Sequence, residues 1–248
     1  MKDQALPALP PAGPIPQMAR SAGHRPVSRL PRETRIAELM TSARAVFREK
    51  GYGNASIAEI ALRAGVGEGT LYRYFENKHD LLLKVLEDWY VGMIEDDDRQ
   101  LRAVQGTRDR LHYLIRSHLT VIWRDPVFCR LVLVELRAAE DYRASALFQL
   151  NRAYARRTLE TIQEAVQSGE YRADVPLSLV RDMIYGCIEH HTWGYLRGDA
   201  EFSVDGVADL ITDMIHRGLV VPQATAAGPA GLAAAIDRLE KLAGRLSG

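Results

Sequence analysis

Two short amphipathic segments separated by Gly65-Val66-Gly67 constrain this chain more than any other feature of it. The first starts at Ser56 and places Ile57, Ile60, Ala61 and Ala64 at i, i+3, i+4 and i+7, one face of a helix, behind a capping box, Ser56-x-x-Glu59. Both glycines can take positive φ at little cost, and Val66 is placed to plug a core between two helices. A second short helix, about Glu68 to Phe75, stops before Asn77-Lys78. Helices this short bury too little surface alone. The segment from Arg32 to Lys50, with Ile36, Leu39, Met40, Ala43, Val46 and Phe47 on one face, is expected to brace them and to end at Gly51-Tyr52-Gly53. The spacing predicts a three-helix head holding a helix-turn-helix. Its first helix would cross a phosphate backbone and its second would lie in a major groove.

That geometry selects candidate contact residues. Gly69 lets backbone come close to phosphate at a helix N-terminus. Thr70, Arg73 and Tyr74 are placed to reach base edges, and the Tyr72 hydroxyl is better placed for a phosphate. Ser56 and Lys78, each at the start of a helix, are phosphate-clamp candidates, whereas Leu71 and Phe75 belong to the core.

The run Thr70-Leu71-Tyr72-x-Tyr74-Phe75-x-Asn77-Lys78, preceded by Ala61-x-x-Ala64-Gly65-Val66 and Gly69, resembles the TetR family of ligand-responsive repressors. The specific match spans about Arg32 to Leu83. The resemblance implies a homodimer with N-terminal reading heads on a palindromic double-stranded DNA operator. It also implies a larger, divergent helical domain that binds a small effector.

Further along, the apolar spacing is helical throughout. Asn77 can cap a long helix through Leu81-Leu82-Leu83, Val85-Leu86 and Trp89-Tyr90 to about Val104, a rod joining head to body. Asp96-Asp97-Asp98 on that rod is read as a solvated charge run rather than a metal site. Thr107 can cap a helix ending near Trp123, before Asp125-Pro126. A shorter helix from Val127 to about Ala139 and a long one from about Tyr142 to Ser168 follow. Pro176 at a first helical position opens another toward Gly198, and Ser203 caps the next up to Gly218. These last two are apolar over more than one face, as a subunit interface would be, although two wholly internal helices would read alike. No segment alternates with period two, so the expectation is all-α.

Four regions follow: a Pro-rich basic arm over 1–31, expected to be disordered; a helix-turn-helix head over 32–78; an effector-binding and dimerisation body over 79–221; and a linker with an extra helix over 222–248. In that last helix Leu232, Ala235, Leu239, Leu242 and Leu246 repeat at three and four residues. The arm, with Arg20, His24, Arg25 and Arg29, reads either as a solubilising tail or as an added phosphate or minor-groove contact.

Residues 1–80 carry 12 Lys/Arg against 8 Asp/Glu in a chain of zero net charge, so a positive head sits on a slightly negative body. Cys129 and Cys187 form no disulfide framework, no run of 18 apolar residues is present, and the N-terminus lacks a signal-peptide pattern. A cytoplasmic protein with no membrane partner is expected. Catalytic constellations are thin: Cys187 and His191 share one helical turn, half a metal site at most, and no phosphate loop or nucleophile elbow occurs. No cofactor, metal or enzymatic activity is expected.

The effector must be met by the body. Leu133-Val-Glu135-Leu136-Arg137, Gln167-Ser-Gly169-Glu170, Met183-Ile-Tyr185-Gly186-Cys-Ile188 and Trp193 are similar to the acyl-CoA-responsive branch of the family, which represses fatty-acid degradation genes. A pocket lined by Leu, Ile, Val, Trp123, Phe128 and Tyr185 would suit an extended apolar tail, and arginines at its mouth would suit phosphates. His118 reads as a hydrogen-bonded core residue or a polar anchor in the cavity, and Arg137 as an anchor or an ordinary ion pair. The leading expectation is a dimeric repressor released by a hydrophobic small molecule, a long-chain acyl-CoA. The alternatives are an efflux-pump regulator answering lipophiles, and a helical ligand-binding enzyme or adaptor without DNA binding.

Overall fold

A computed structural model describes residues 31–222 together with Ala233, Ile236 and Asp237. Among these the architecture is all-α, relieved by one isolated antiparallel bridge between Tyr171 and Val220. Most of the N-terminal arm and of the leucine-spaced C-terminal segment lie outside the described residues.

The head is built from α1 (Arg32–Asn54), α2 (Ile57–Arg63) and α3 (Glu68–Leu71). Helix α1 buries Leu39, Ala43, Val46 and Phe47, four positions of one stripe, and its regular run breaks at Gly51, whose φ of 73° only glycine adopts freely. Helix α2 ends in a Schellman motif: the N–H of Gly65 donates to Leu62 O and the N–H of Val66 to Ala61 O, with Gly65 at φ 68°. Of the two glycines in the turn only Gly65 is left-handed. Gly67, at φ −80°, is the extended N-cap of α3. Val66 packs against the core as its position between the helices requires.

The rod is α4 (Lys78–Leu101), capped by Asn77, whose side chain accepts from Asp80 N at 2.9 Å. The body continues with α5 (Thr107–Arg124), α6 (Pro126–Arg130), α7 (Ala146–Gln167), α8 (Leu177–Arg197) and α9 (Val204–Leu219), of which α5 and α7 pack against the rod and α9 against α5 and α8. The rod stops short of the expected Val104, Pro176 is an N-cap rather than a first helical residue, and other boundaries differ from expectation too. Gly106 rather than Thr107 is the N-cap of α5, and the Thr107 hydroxyl donates instead to Glu170. Helix α6 does not run on to Ala139 but widens into a π-helical segment, Leu131–Leu136. Tyr142–Ala144 is a separate 3₁₀ turn, because Ser145 accepts from Phe148 N and starts α7 afresh.

The ends of α8 and α9 follow local chemistry. Pro176 is the N-cap of α8 and Gly198, at φ 82°, closes it, while Ser203 caps α9 through Gly206 N. Helices α5 and α9 are locked antiparallel by a ladder of polar pairs: Arg108 to Asp213, His112 to Asp209 and Arg116 to Asp205, each step four residues up one helix and four down the other. Exposed pairs like these are weak individually, so the ladder sets register more than it adds stability. Along the outer side of α8 and α9, Leu179, Met183, Leu210 and Met214 are exposed, the last two at 67% and 73%.

Candidate nucleic-acid interface and effector chamber

The turn and α3 present their polar side outward because Leu71 and Phe75 anchor the other side in the core. The α-helix is shorter than expected, but Tyr72, Tyr74 and Phe75 N–H groups bond back to Glu68 and Leu71, so the coil persists to Phe75. Arg73 is exposed and has no ion-pair partner among the described residues. Tyr72 is 55% exposed and Thr70 is half-buried. Tyr74 differs from expectation: it is half-buried against the core, so Tyr72 is the more accessible of the two phenols. Gly69 is exposed, and a Cβ added to it would meet no protein atom within 4 Å.

Ser56 accepts from Glu59 N at 3.2 Å, half of the predicted box. The Glu59 carboxylate goes instead to Lys50 at 2.6 Å. Lys78 corrects an expectation more sharply. Its Nζ donates to Tyr52 O and Ala55 O, both at 2.9 Å, and lies 4.5 Å from the centre of the Tyr52 ring. A cation at a helix N-terminus is opposed by the helix dipole, and carbonyls at the end of α1 offset that. The ammonium therefore braces the head from within rather than standing free for a phosphate.

Head and body meet at Asp125. Its Oδ1 accepts from Arg48 Nε of α1 at 2.6 Å and its Oδ2 from Trp89 Nε1 of α4 at 3.2 Å. Arg48 also lies over Phe128, 5.4 Å from the ring centre, and Trp89 meets the same ring edge-on. Phe128, expected to line the pocket, is thus fully buried in the joint between α1, α4 and α6. Trp123 is no lining residue either, being 51% exposed, with its carbonyl accepting from Tyr195 OH. Arg137 takes the ion-pair alternative: it pairs with Glu189 at 3.0 Å across an open surface.

His118 and Tyr185, by contrast, come together inside the body. Their rings meet edge-on at 5.1 Å, His118 Nδ1 shares a proton with Tyr154 OH at 3.3 Å, and Tyr185 OH shares one with Thr158 Oγ1 at 2.9 Å. Burial alone pushes the imidazole down to about 4, and burial raises the Tyr185 phenol to about 12 despite the Thr158 bond. Both groups are neutral near pH 7. On α4, Asp97 is buried and accepts from Ser117 Oγ at 2.6 Å and Tyr113 OH at 3.3 Å. Desolvation holds its carboxyl above the usual range against those two bonds.

The run Asp96-Asp97-Asp98 is therefore only partly a solvated face. Asp97 turns inward and Asp98 pairs with Arg157 of α7. The stripe Leu86, Tyr90, Met93, Asp97 carries the signal for that inward turn. Tyr154 and Thr158 had no motif to mark them. Two open clefts adjoin the outer end of this seam at the α4–α5 corner, sharing Leu101, Arg102 and Arg110, and one reaches Asp98 and Arg157.

A helix-turn-helix head whose contact face points outward, carried on a rod into a larger helical body, is the build of a DNA-binding transcriptional regulator. Residues 39–85 match the model for bacterial regulatory proteins of the tetR family, and residues 105–219 match that for the tetracyclin repressor-like C-terminal domain. The chain belongs to the tetR family and is a DNA-binding transcriptional regulator.

Its relatives include the fatty acid metabolism regulator protein of Bacillus subtilis, 23% identical over 73% of this chain and 94% of that one. The transcriptional activator FasR of Mycolicibacterium smegmatis is 34% identical over 45% of this chain and 51% of that protein. Among solved structures, FadR from Bacillus subtilis in complex with stearoyl-CoA superposes with a TM-score of 0.65 at 23% identity, covering 73% of this chain and 98% of that one. No helix among the described residues is long and apolar enough to cross a membrane.

Proposed function

We propose that this regulator works in the cytoplasm as a homodimer on a palindromic operator and is a repressor released by a long-chain acyl-CoA. The exposed apolar stripe of Leu179, Met183, Leu210 and Met214 supports the dimer: four large apolar side chains in water on two adjacent helices are a surface awaiting a partner, and a two-fold axis there carries two heads. At each head Thr70, Arg73 and, at the groove edge, Tyr74 reach for bases, with Ser56, Gly69 and Tyr72 on phosphate.

The effector reading rests on His118 and Tyr185, the two expected lining residues whose rings meet inside the body, and is supported by the stearoyl-CoA complex of the Bacillus subtilis regulator. At the α4–α5 corner Arg102 suits the phosphates of the CoA moiety. Arg110 and Arg157 are held by Glu164, Asp98 and Glu160, and Arg102 has no ion-pair partner among the described residues. An occupant wedged between α5, α7 and α8 displaces the rod that α7 packs against, and Asp125 passes that displacement to α1. Release requires the effector to favour the DNA-incompetent state, since equal affinity for both states shifts nothing.

The test is a mobility shift of a bound duplex with palmitoyl-CoA added. Dissociation at low micromolar ester supports the reading, and a complex indifferent to esters of several lengths removes the acyl-CoA part of it. The efflux-regulator alternative predicts release by cationic or aromatic lipophiles instead.

A further inference from the structure

His118 and Tyr185 sit deep in the body, yet each keeps part of its surface open, while Tyr154 and Thr158, their hydrogen-bond partners, are closed over. Both lie where α5, α7 and α8 pack against one another. Resting on the effector reading above, we propose that space opens beside the two rings between these helices, that this space receives an uncharged, hydrogen-bonding oxygen of an otherwise apolar ligand, such as a thioester or ketone carbonyl or a hydroxyl, and that it rejects a carboxylate.

The donor inventory supports that chemistry. A neutral imidazole carries one proton, so with Nδ1 committed to Tyr154 OH the other nitrogen offers a single neutral hydrogen-bonding edge. Thr158 and Tyr185 share one bond between two hydroxyls, and with Thr158 as its donor the Tyr185 proton is left for a guest. The guanidinium of Arg157, on the same helix as Tyr154 and Thr158, is committed to Asp98 and Glu160, and Asp97 adds a buried acidic group on the facing rod. A carboxylate in this space would be desolvated without a counter-charge, whereas a carbonyl or hydroxyl needs only the hydrogen bond that the lining provides.

The experiment is titration of the full chain at pH 7.5 with 1-dodecanol, 2-tridecanone and dodecanoate, followed by calorimetry or tryptophan fluorescence. His118→Phe and Tyr185→Phe are run beside the wild type. The neutral probes are expected to bind at least about tenfold more tightly than dodecanoate, and each Phe variant is expected to weaken the neutral probes several-fold while leaving dodecanoate unchanged. Tyr185→Phe removes one hydroxyl and keeps the ring, so it remains informative if His118→Phe proves unstable.

Dodecanoate binding as tightly as the alcohol, no binding of any probe, or Phe variants that hold the neutral probes at wild-type strength would overturn the proposal. The regulator reading is scored separately. Loss of DNA binding in the wild type would strike it, whereas DNA binding and palmitoyl-CoA release that persist without discrimination among the probes would strike this inference alone.

Discussion

The ammonium of Lys78 lies over the ring of Tyr52 and donates to that residue's own carbonyl, joining the first turn of the rod to the end of α1. Three pieces of the head converge there, because the Ala55 carbonyl just ahead of α2 accepts from the same nitrogen. Lys78→Met is expected to remove the donor that the Tyr52 and Ala55 carbonyls share and to destabilise the head by about 1–3 kcal/mol. Thermal melts of the head should show it, with DNA affinity falling in step. An unchanged melt with a salt slope flattened by about 1 would mean that the side chain holds a phosphate instead.

Gly69 offers the opposite combination. Its Cβ position is open and its φ is not left-handed, so Gly69→Ala should raise or preserve the melting temperature, since alanine is the better helix former by about 1 kcal/mol. The added methyl would stand on the outward side, where DNA backbone is proposed to approach. DNA affinity is expected to fall about tenfold or more while stability does not. Unchanged affinity would place α3 differently on the duplex.

The head was far more legible in the sequence than the chamber. A Schellman turn, two caps and a 3.6-residue stripe are local physics, so Gly65, Asn77 and the stripe from Leu39 to Phe47 could be placed from the residues alone. The fate of a polar side chain on a long helix is decided by what packs against it. Lys78 reads as a surface clamp until the end of α1 is folded over it. Trp123 reads as pocket lining until α5 turns it to solvent, and Phe128 until Arg48 and Trp89 close around it. Asp97 was hidden by its neighbours: flanked by Asp96 and Asp98 it reads as solvated, although its own helical phase points inward. The ladder between α5 and α9 needs both helices aligned before its spacing means anything.

Acid should weaken the fold through His118. Its native pKa of about 4 lies below the ordinary 6.5, so the unfolded chain takes up a proton that the native imidazole refuses. The stability this group contributes is complete above pH 6.5 and is lost as pH falls through the window toward 4, by on the order of 3 kcal/mol in all. Melting curves from pH 7 to 4 should decline less steeply for His118→Phe than for the wild type. Parallel curves would show that the imidazole is solvated in the native state.

Met214 stands near the middle of the exposed stripe on α9. Met214→Glu sets a charge where a two-fold contact would bury it, and in a symmetric interface the charge is introduced twice. Sedimentation should show the variant shifted to monomer with its helical content intact and its affinity for a palindromic duplex reduced. A variant that stays dimeric would move the interface elsewhere on the body.

Selection of bound duplexes from a random library by the full chain, with the recovered sequence titrated at two salt concentrations, puts the central claim to the most direct test. Two inverted half-sites are expected, held by two copies of the chain, with affinity falling steeply as salt rises and base preference altered by Arg73→Ala. Recovery of no common sequence, or binding indifferent to salt and to Arg73, would contradict the assignment of α3 as the reading element.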